Sequence, residues 1–584
     1  MKELIKKITK KNKWRLIVFF VAIILNTYLL ILPARIIGNI IDLLGNIDAN
    51  RVLIINNIVM LLGLSVLLMG IRLVWKYYET YLIRIYEKEI KDKVFKHVME
   101  IKLEELQNRK NGEIMSYFVK DINEIRIMIR HIIAFGTRIL FTCIFGVYAM
   151  ATKVDLKLTI IAIIPLIVAA FLTFKIKELI IKHFRKSQEH FTQLSEYLQE
   201  STEAIRTTKS YGQEDSQIKH FETLNKAVRK SNIKVDAYST LLSTCVSICF
   251  GLSYGLAIIF GSKLIISGTI TIGAFVTFNS YIALFVNPVT WVPNFVSRLK
   301  RGTISFKRLD SVLEIPIEPE QKRLPLEEVK KIGFSGDILI KDLSFRYPEY
   351  IDTVLKNINV EIKQGETIGI IGKIGSGKST LMDLLVKLYN VKRGKIFVNN
   401  VDINDIPISV LRNKICYITQ ENFLFSTTLK ENITLFRDGY LKEEVEDSLK
   451  QSLIYKEVEE MQDGIYTLVG ERGGDLSGGQ KQRIVISRAF LDNADIIIFD
   501  DTFSALDNRT QQKLLKNIKT LVEGKTCIII SNRISDIKHS DRILVMEDGE
   551  IIESGIHKEL IAKKGNYYEF YKEQAIKKSE SILS

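Results

Sequence analysis

Two stretches of the chain put phosphate-handling residue types at the spacing such chemistry needs. GKIGSGKST, Gly372 to Thr380, follows the apolar run TIGII and precedes LMDLLVKL, so a glycine-rich loop joins a strand to the start of a helix. Gly372, Gly375 and Gly377 allow the backbone to wrap closely, so that N–H groups and the helix N-terminus face a phosphate chain. In that loop Lys378 is placed to bridge the β- and γ-phosphates and Ser379 to offer its hydroxyl to Mg²⁺, with Ser376 and Thr380 completing the nucleotide contacts. The second stretch is IIIFDDTFSALD, residues 496 to 507, in which four apolar residues run into adjacent carboxylates, Asp500 and Asp501. A buried strand closing on paired acids marks a place where metal-bound phosphate is handled, and Asp500 is the expected Mg²⁺ holder.

The elements that must position these residues begin near residue 337, where short β-branched runs such as DILIKDLSF and ETIGIIG alternate with turns and amphipathic helical stretches. This α/β pattern covers 337–584. Before it, EIPIEPEQKRLPLEE (314–328) holds three of the nine prolines among charged residues, and 311–336 reads as a linker.

Residues 1–310 differ in kind. Six apolar stretches, each of bilayer-spanning length, lie near 14–37, 52–75, 128–151, 156–177, 239–261 and 271–292. The basic N-terminus reads as the flank of an uncleaved first span, because no small-residue cleavage site follows. Lys and Arg crowd the long connections 81–127 and 178–238 and are sparse in the short ones, so both termini and the α/β half are expected on the cytoplasmic side of the cell membrane. The formal charge of +15 then reads as topology and attraction to anionic lipid, not as nucleic-acid binding. Five cysteines form no CxxC pair and take no histidine at zinc spacing, so no disulfide or zinc role is assigned.

LSGGQKQR, Leu476 to Arg483, narrows the reading. With Tyr347 in FRYP, Gln420 in YITQEN and SALD (Ser504, Ala505, Leu506, Asp507), it resembles the ATP-binding cassette (ABC) family in order and approximate spacing. Six spans before the cassette extend the resemblance to an ABC exporter half-transporter; NGEIMSYFVKDI (111–122) and EAIRTTKSYGQED (203–215) are similar to its two intracellular coupling loops. The resemblance implies that Tyr347 stacks on adenine, and that Gln420 touches Mg²⁺ and the transmembrane loops. It also implies that Leu476, Ser477, Gly478, Gly479 and Gln480 serve the ATP held by an opposite cassette. Gly470 to Gly473 match a stretch that contacts the coupling loops, and Ser504–Asp507 lie at the dimer contact. ATP and Mg²⁺ are the implied cofactors and a second half-transporter the implied partner.

Two positions depart from the family pattern. Asp501 stands where glutamate normally polarises the attacking water, and its carboxylate reaches roughly 1.3 Å less far. Asn532, in SNRIS, stands where a histidine normally contacts the γ-phosphate, and asparagine carries no charge. Both changes touch the same water and phosphate, so the expectation is a heterodimer in which this chain holds a degenerate ATP site and lends an intact signature to its partner. A homodimer hydrolysing slowly through Asp501, and an ATP-binding sensor without transport, are the alternatives. Cargo is less legible: Arg138 sits well inside the third apolar stretch as a weak substrate-path candidate, open equally to a structural pairing, while Arg35 and Arg72 lie near span ends and are expected to snorkel. Drug, lipid and peptide all stay open.

Overall fold

The structure, a computed structural model, describes residues 1–107, 109, 111–317, 337–347, 352–470 and 473–583. Most of the expected linker, and Glu471 and Arg472 ahead of the signature, lie outside the described residues. The chain divides into two compact units, 1–100 with 109–315, and 101–108 with 316–584.

The first unit is helical. Among the described residues, six helical segments are long and apolar enough to cross a membrane: Lys13–Leu43, Asn50–Glu100, Gly112–Lys153, Leu156–Glu203, Glu214–Ile266 and Ile272–Leu313, here spans 1 to 6. Span 2, with 51 residues, is roughly 75 Å long against about 30 Å of hydrocarbon, so it is more than twice the length needed to cross the apolar layer. Span 1 breaks at Leu30 and Ile31, where Pro33 opens the helix Leu32–Leu43. Span 3 contains two π-helical turns, Tyr117–Asp121 and His131–Gly136.

Without water to drive association, spans join through small residues and buried polar bonds. Gly38 of span 1 meets Gly273 of span 6 so closely that a Cβ on Gly38 would fall 2.4 Å from the Gly273 carbonyl. Asp42 accepts from the Gly273 N–H at 2.7 Å and from the Thr271 hydroxyl at 2.6 Å at the same crossing. Ser253 of span 5 donates to the Ala162 carbonyl of span 4 at 2.7 Å. Asp121 of span 3, buried, takes the Ser305 hydroxyl at 2.7 Å and Arg308 at 3.1 Å from span 6.

The second unit is an α/β domain whose strands, among the described residues, are β1 (Ile338–Phe345), β2 (Leu355–Ile362), β3 (Thr367–Gly372), β4 (Ile396–Val398), β5 (Val401–Asp402), β6 (Ile415–Ile418), β7 (Ile496–Asp500), β8 (Thr526–Ile530), β9 (Arg542–Glu547) and β10 (Glu550–Gly555). An antiparallel sheet runs β2-β1-β4-β5, and a larger one β10-β9-β3-β8-β7-β6, parallel except for β10. β7 and β8 are buried along their whole length, as their unbroken apolar runs require of parallel strands.

The division differs from the boundary expected at residue 310. Span 6 stays helical to Leu313, and 101–108 belongs to the second unit. Three contacts explain this: Ile101 bridges Ile317; Leu103, on the short helix Leu103–Gln107, packs against the sheet core; and Glu104 accepts from the Asn390 N–H at 3.2 Å. NGEIMSYFVKDI lies instead in the first unit, in the helical start of span 3.

Candidate functional site

The carboxyl ends of β3, β7 and β8 converge, which is where ligands sit in open α/β sheets. The loop after β3 turns through left-handed glycines, Gly375 at φ 86° and Gly377 at φ 92°, into α1 (Lys378–Leu385). Substitution at Gly377 is blocked twice, because a Cβ would also lie 2.6 Å from Leu355 Cδ2. Lys378, nearly buried, donates through Nζ to the Gly372 and Lys373 carbonyls at 2.8 Å each. Burial pulls its pKa down while Asp500 and Asp501 oppose that shift.

One cavity of about 230 Å³ gathers Gly375, Ser376, Gly377, Lys378, Ser379, Thr380, Gln420, Asp500, Asp501 and Asn532. Asp500, 2% exposed, takes hydrogen bonds from Ser379 and, at 3.1 Å, from Tyr417. Burial raises its carboxyl above the ordinary range, against those two bonds and Lys378. Ser379, Gln420 and Asp500 are all oxygen donors, and few in number, which suits a Mg²⁺ that brings waters and phosphates of its own. Asp501 follows at φ 45° with its N–H on the Ile530 carbonyl at 2.9 Å. Aspartate is among the side chains that tolerate this left-handed backbone. Its carboxyl is raised by burial and then by Asp500 and Asp536, with Arg533 and Lys378 opposing.

Tyr347 sits beside this cavity, its hydroxyl 3.0 Å from the Thr380 hydroxyl and its ring edge-on to Tyr389. Leu476–Gln480 and Ser504–Asp507 do not line it.

Residues 16–289 match the ABC transporter transmembrane region and residues 355–504 the ABC transporter cassette. Over 553 residues the chain is 31% identical to the probable multidrug resistance ABC transporter ATP-binding/permease protein YheI of Bacillus subtilis (strain 168), covering 93% of this chain and 92% of the relative. The chain belongs to the ABC transporter family. It is a half-transporter of the exporter type, one membrane region fused to one cassette, and an ATPase coupled to transport. The multidrug resistance-like ATP-binding protein MdlA of Buchnera aphidicola subsp. Schizaphis graminum is 31% identical over 95% of each chain. The leukotoxin translocation ATP-binding protein LktB of Mannheimia haemolytica is 31% identical over 82% of this chain and 67% of its own. A bacterial Atm1-family ABC exporter solved with ATP bound shares the fold at TM-score 0.77 and 23% identity, over 97% of this chain and 99% of that one.

In this ABC half-transporter the signature opens α2 (Gly478–Leu491). Ser477 is its N-cap, accepting from the Gln480 N–H at 3.3 Å while Gln480 accepts from the Ser477 N–H at 2.8 Å. The cap uses a lone pair of Ser477, and its hydroxyl proton has no acceptor among the described residues. Asp507 caps α3 (Asn508–Leu521), accepting from the Arg509 and Thr510 N–H groups at 3.0 Å, so it holds a local structural post.

Three residues here were not singled out from sequence. Buried Gln482 joins signature to SALD, accepting from the Ala505 N–H at 3.0 Å and donating to Ser504 at 3.2 Å. Tyr417 reaches both Asp500 and Asp383. Asp536, under Asp501, is held by the Ser531 and Ser535 hydroxyls. Tyr417 sits on β6, Gln482 on α2 just past the signature and Asp536 on the short helix Ile534–Ile537, and their partners become visible only once the chain is folded.

Proposed function

We propose that the chain is one half of a heterodimeric exporter that moves cargo across the cell membrane by alternating access, with the cassette cytoplasmic and the partner a second, different half-transporter. The observation that carries this is the joint presence of Asp501 and Asn532 in one cavity with an intact Lys378 and Ser379. Such a site keeps its phosphate-binding parts and loses reach and charge at the water, where in-line positioning tolerates little error. ATP phosphates compete with two loop carbonyls for Lys378 Nζ; Asp500, Ser379 and Gln420 would hold Mg²⁺, which supplies charge neutralisation on the phosphates. Ser477 donates its hydroxyl, with the Gly478 and Gly479 N–H groups, to the ATP of the opposite cassette. Closure of the two cassettes over ATP shifts the membrane half outward because ATP binds the closed form more tightly. Hydrolysis at the partner's competent site resets it.

A slow homodimer is the second reading, favoured by geometry: Asp501 still places a carboxylate in the same cavity as Lys378 and Ser379. ATPase activity of the purified chain in lipid, beside Asp501→Glu/Asn532→His, separates the two. Near-background hydrolysis that the double variant restores supports the degenerate site; brisk hydrolysis by the native chain removes the heterodimer.

A further inference from the structure

The membrane unit contains a second cavity, of about 240 Å³, lined by Arg72, Trp75, Lys76 and Glu79 of span 2 and by Phe135 and Arg138 of span 3, with Ile23 and Ala134. Three cations there face one carboxylate. Glu79, 2% exposed, is already shared between Lys76 at 2.6 Å and Arg130 at 3.4 Å. Arg72 and Arg138 have no acidic partner among the described residues, and Arg72, exposed along its span, lines the mouth of this cavity with Arg138. Guanidinium groups at membrane depth are costly unless something answers their charge.

The rest of the lining completes an amphipathic pattern. Arg138 lies over the Trp291 ring at 5.1 Å, Trp291 meets Phe135 edge-on at 5.6 Å, and Phe135 stacks on His131 at 4.7 Å. The Trp75 Nε1 donor is buried and has no hydrogen-bond partner among the described residues. Unanswered groups are therefore all donors or cations, set beside an aromatic wall. Phe135 belongs to the π-helical turn His131–Gly136, and such turns recur where a helix presents functional groups. Three residues on, Arg138 shares its face.

We propose that this cavity binds an amphipathic organic anion, with a carboxylate, phosphate or sulfate head held by Arg72, Arg138 and the Trp75 N–H and an apolar body against Phe135 and Trp291. Planar guanidinium forks match such heads in geometry as well as charge. That this anion is the cargo rests on the export reading above; the binding itself does not.

The sequence contains three tryptophans, two of them at this site, and the third, Trp14, is exposed. In Trp14→Phe protein, in nanodiscs of zwitterionic lipid without nucleotide, tryptophan emission is titrated with 2-bromododecanoate and with the matched cation (2-bromododecyl)trimethylammonium. Bromine quenches on contact, and the anion should half-quench at a concentration roughly tenfold lower than the cation. Arg72→Gln/Arg138→Gln should erase that difference, and Arg138→Lys alone should keep most of it. Retained ATP binding by the cassette in each variant shows that the protein is folded. Equal quenching by anion and cation in the native lining, or an anion preference that survives the double variant, overturns the proposal. Phosphatidylglycerol added to the nanodisc and phenyl phosphate added to the water then compete. Loss of quenching to the first assigns the ligand to the bilayer, loss to the second assigns it to the aqueous phase, and competition by neither overturns the anion site. No turnover enters the measurement, so its failure leaves the ATPase test of export untouched.

Discussion

The cassette cavity and the Arg138 cavity of the membrane unit are nearly equal in volume, about 230 and 240 Å³, yet they are charged by different rules. In the cassette one lysine faces two aspartates, and the loop is built to receive phosphates that arrive with a divalent cation. In the membrane unit one carboxylate is divided between two cations while two guanidinium groups have no acidic partner among the described residues. A site whose ligand brings its own countercharge needs acids as well as bases; a site whose cations outnumber its one carboxylate asks the ligand for negative charge. The charge a protein leaves unbalanced thus describes what it takes in.

The sharpest way to break this contrast is Lys378→Ala. It should weaken ATP binding at the chain's own site by about 100-fold, near 2.7 kcal/mol, in direct nucleotide titrations, while bromo-anion quenching in the membrane cavity stays unchanged. Unaltered ATP affinity would remove the phosphate-loop assignment. Next in size, Asp501→Glu/Asn532→His should raise steady-state hydrolysis by about tenfold or more, since both reach and charge return to one water; equal rates would show that neither position limits turnover.

A smaller effect concerns the cassette's acids. Burial pushes the Asp383 carboxyl up to about 6, against the Tyr417 hydrogen bond. Between about pH 4 and pH 6 the folded protein therefore keeps a proton that the unfolded chain has released, and stability falls as pH rises through that window, with the full penalty present above it. Asp383→Asn should gain on the order of 1 kcal/mol at pH 7.5 and flatten the slope below pH 6 in cassette unfolding curves. An unchanged slope would place the proton elsewhere. Smallest of the four, Glu79→Gln frees Lys76 and Arg130 and should tighten anion binding by about threefold in the quenching assay; weaker binding would mean that Glu79 orients the cations instead of diluting them.

How far each region could be read from sequence follows the same divide. The phosphate loop is contiguous, and its glycines, lysine and serine must follow one another for the backbone to close on phosphate, so the motif is its own geometry. Asp500 was legible because four apolar residues precede it on a buried strand. All six spans were legible from length and apolarity. Arg138 could be flagged from depth alone, but its companions Arg72, Trp75 and Trp291 come from other spans, and nothing local in RLVWK or VTWVP announces that they meet. Tyr417, Gln482 and Asp536 escaped for the same reason. Ile101 and Leu103 escaped because two apolar residues among charged neighbours look like an ordinary helix surface.

That last segment changes how the chain is mechanically joined. Because 101–108 folds with the second unit, the polypeptide passes between the two units three times and not once. Three backbone connections, at the ends of spans 2, 3 and 6, thus join the units where a single linker was expected. The same threading means that a cassette cut free at residue 337 would lack Leu103, which packs against its sheet core.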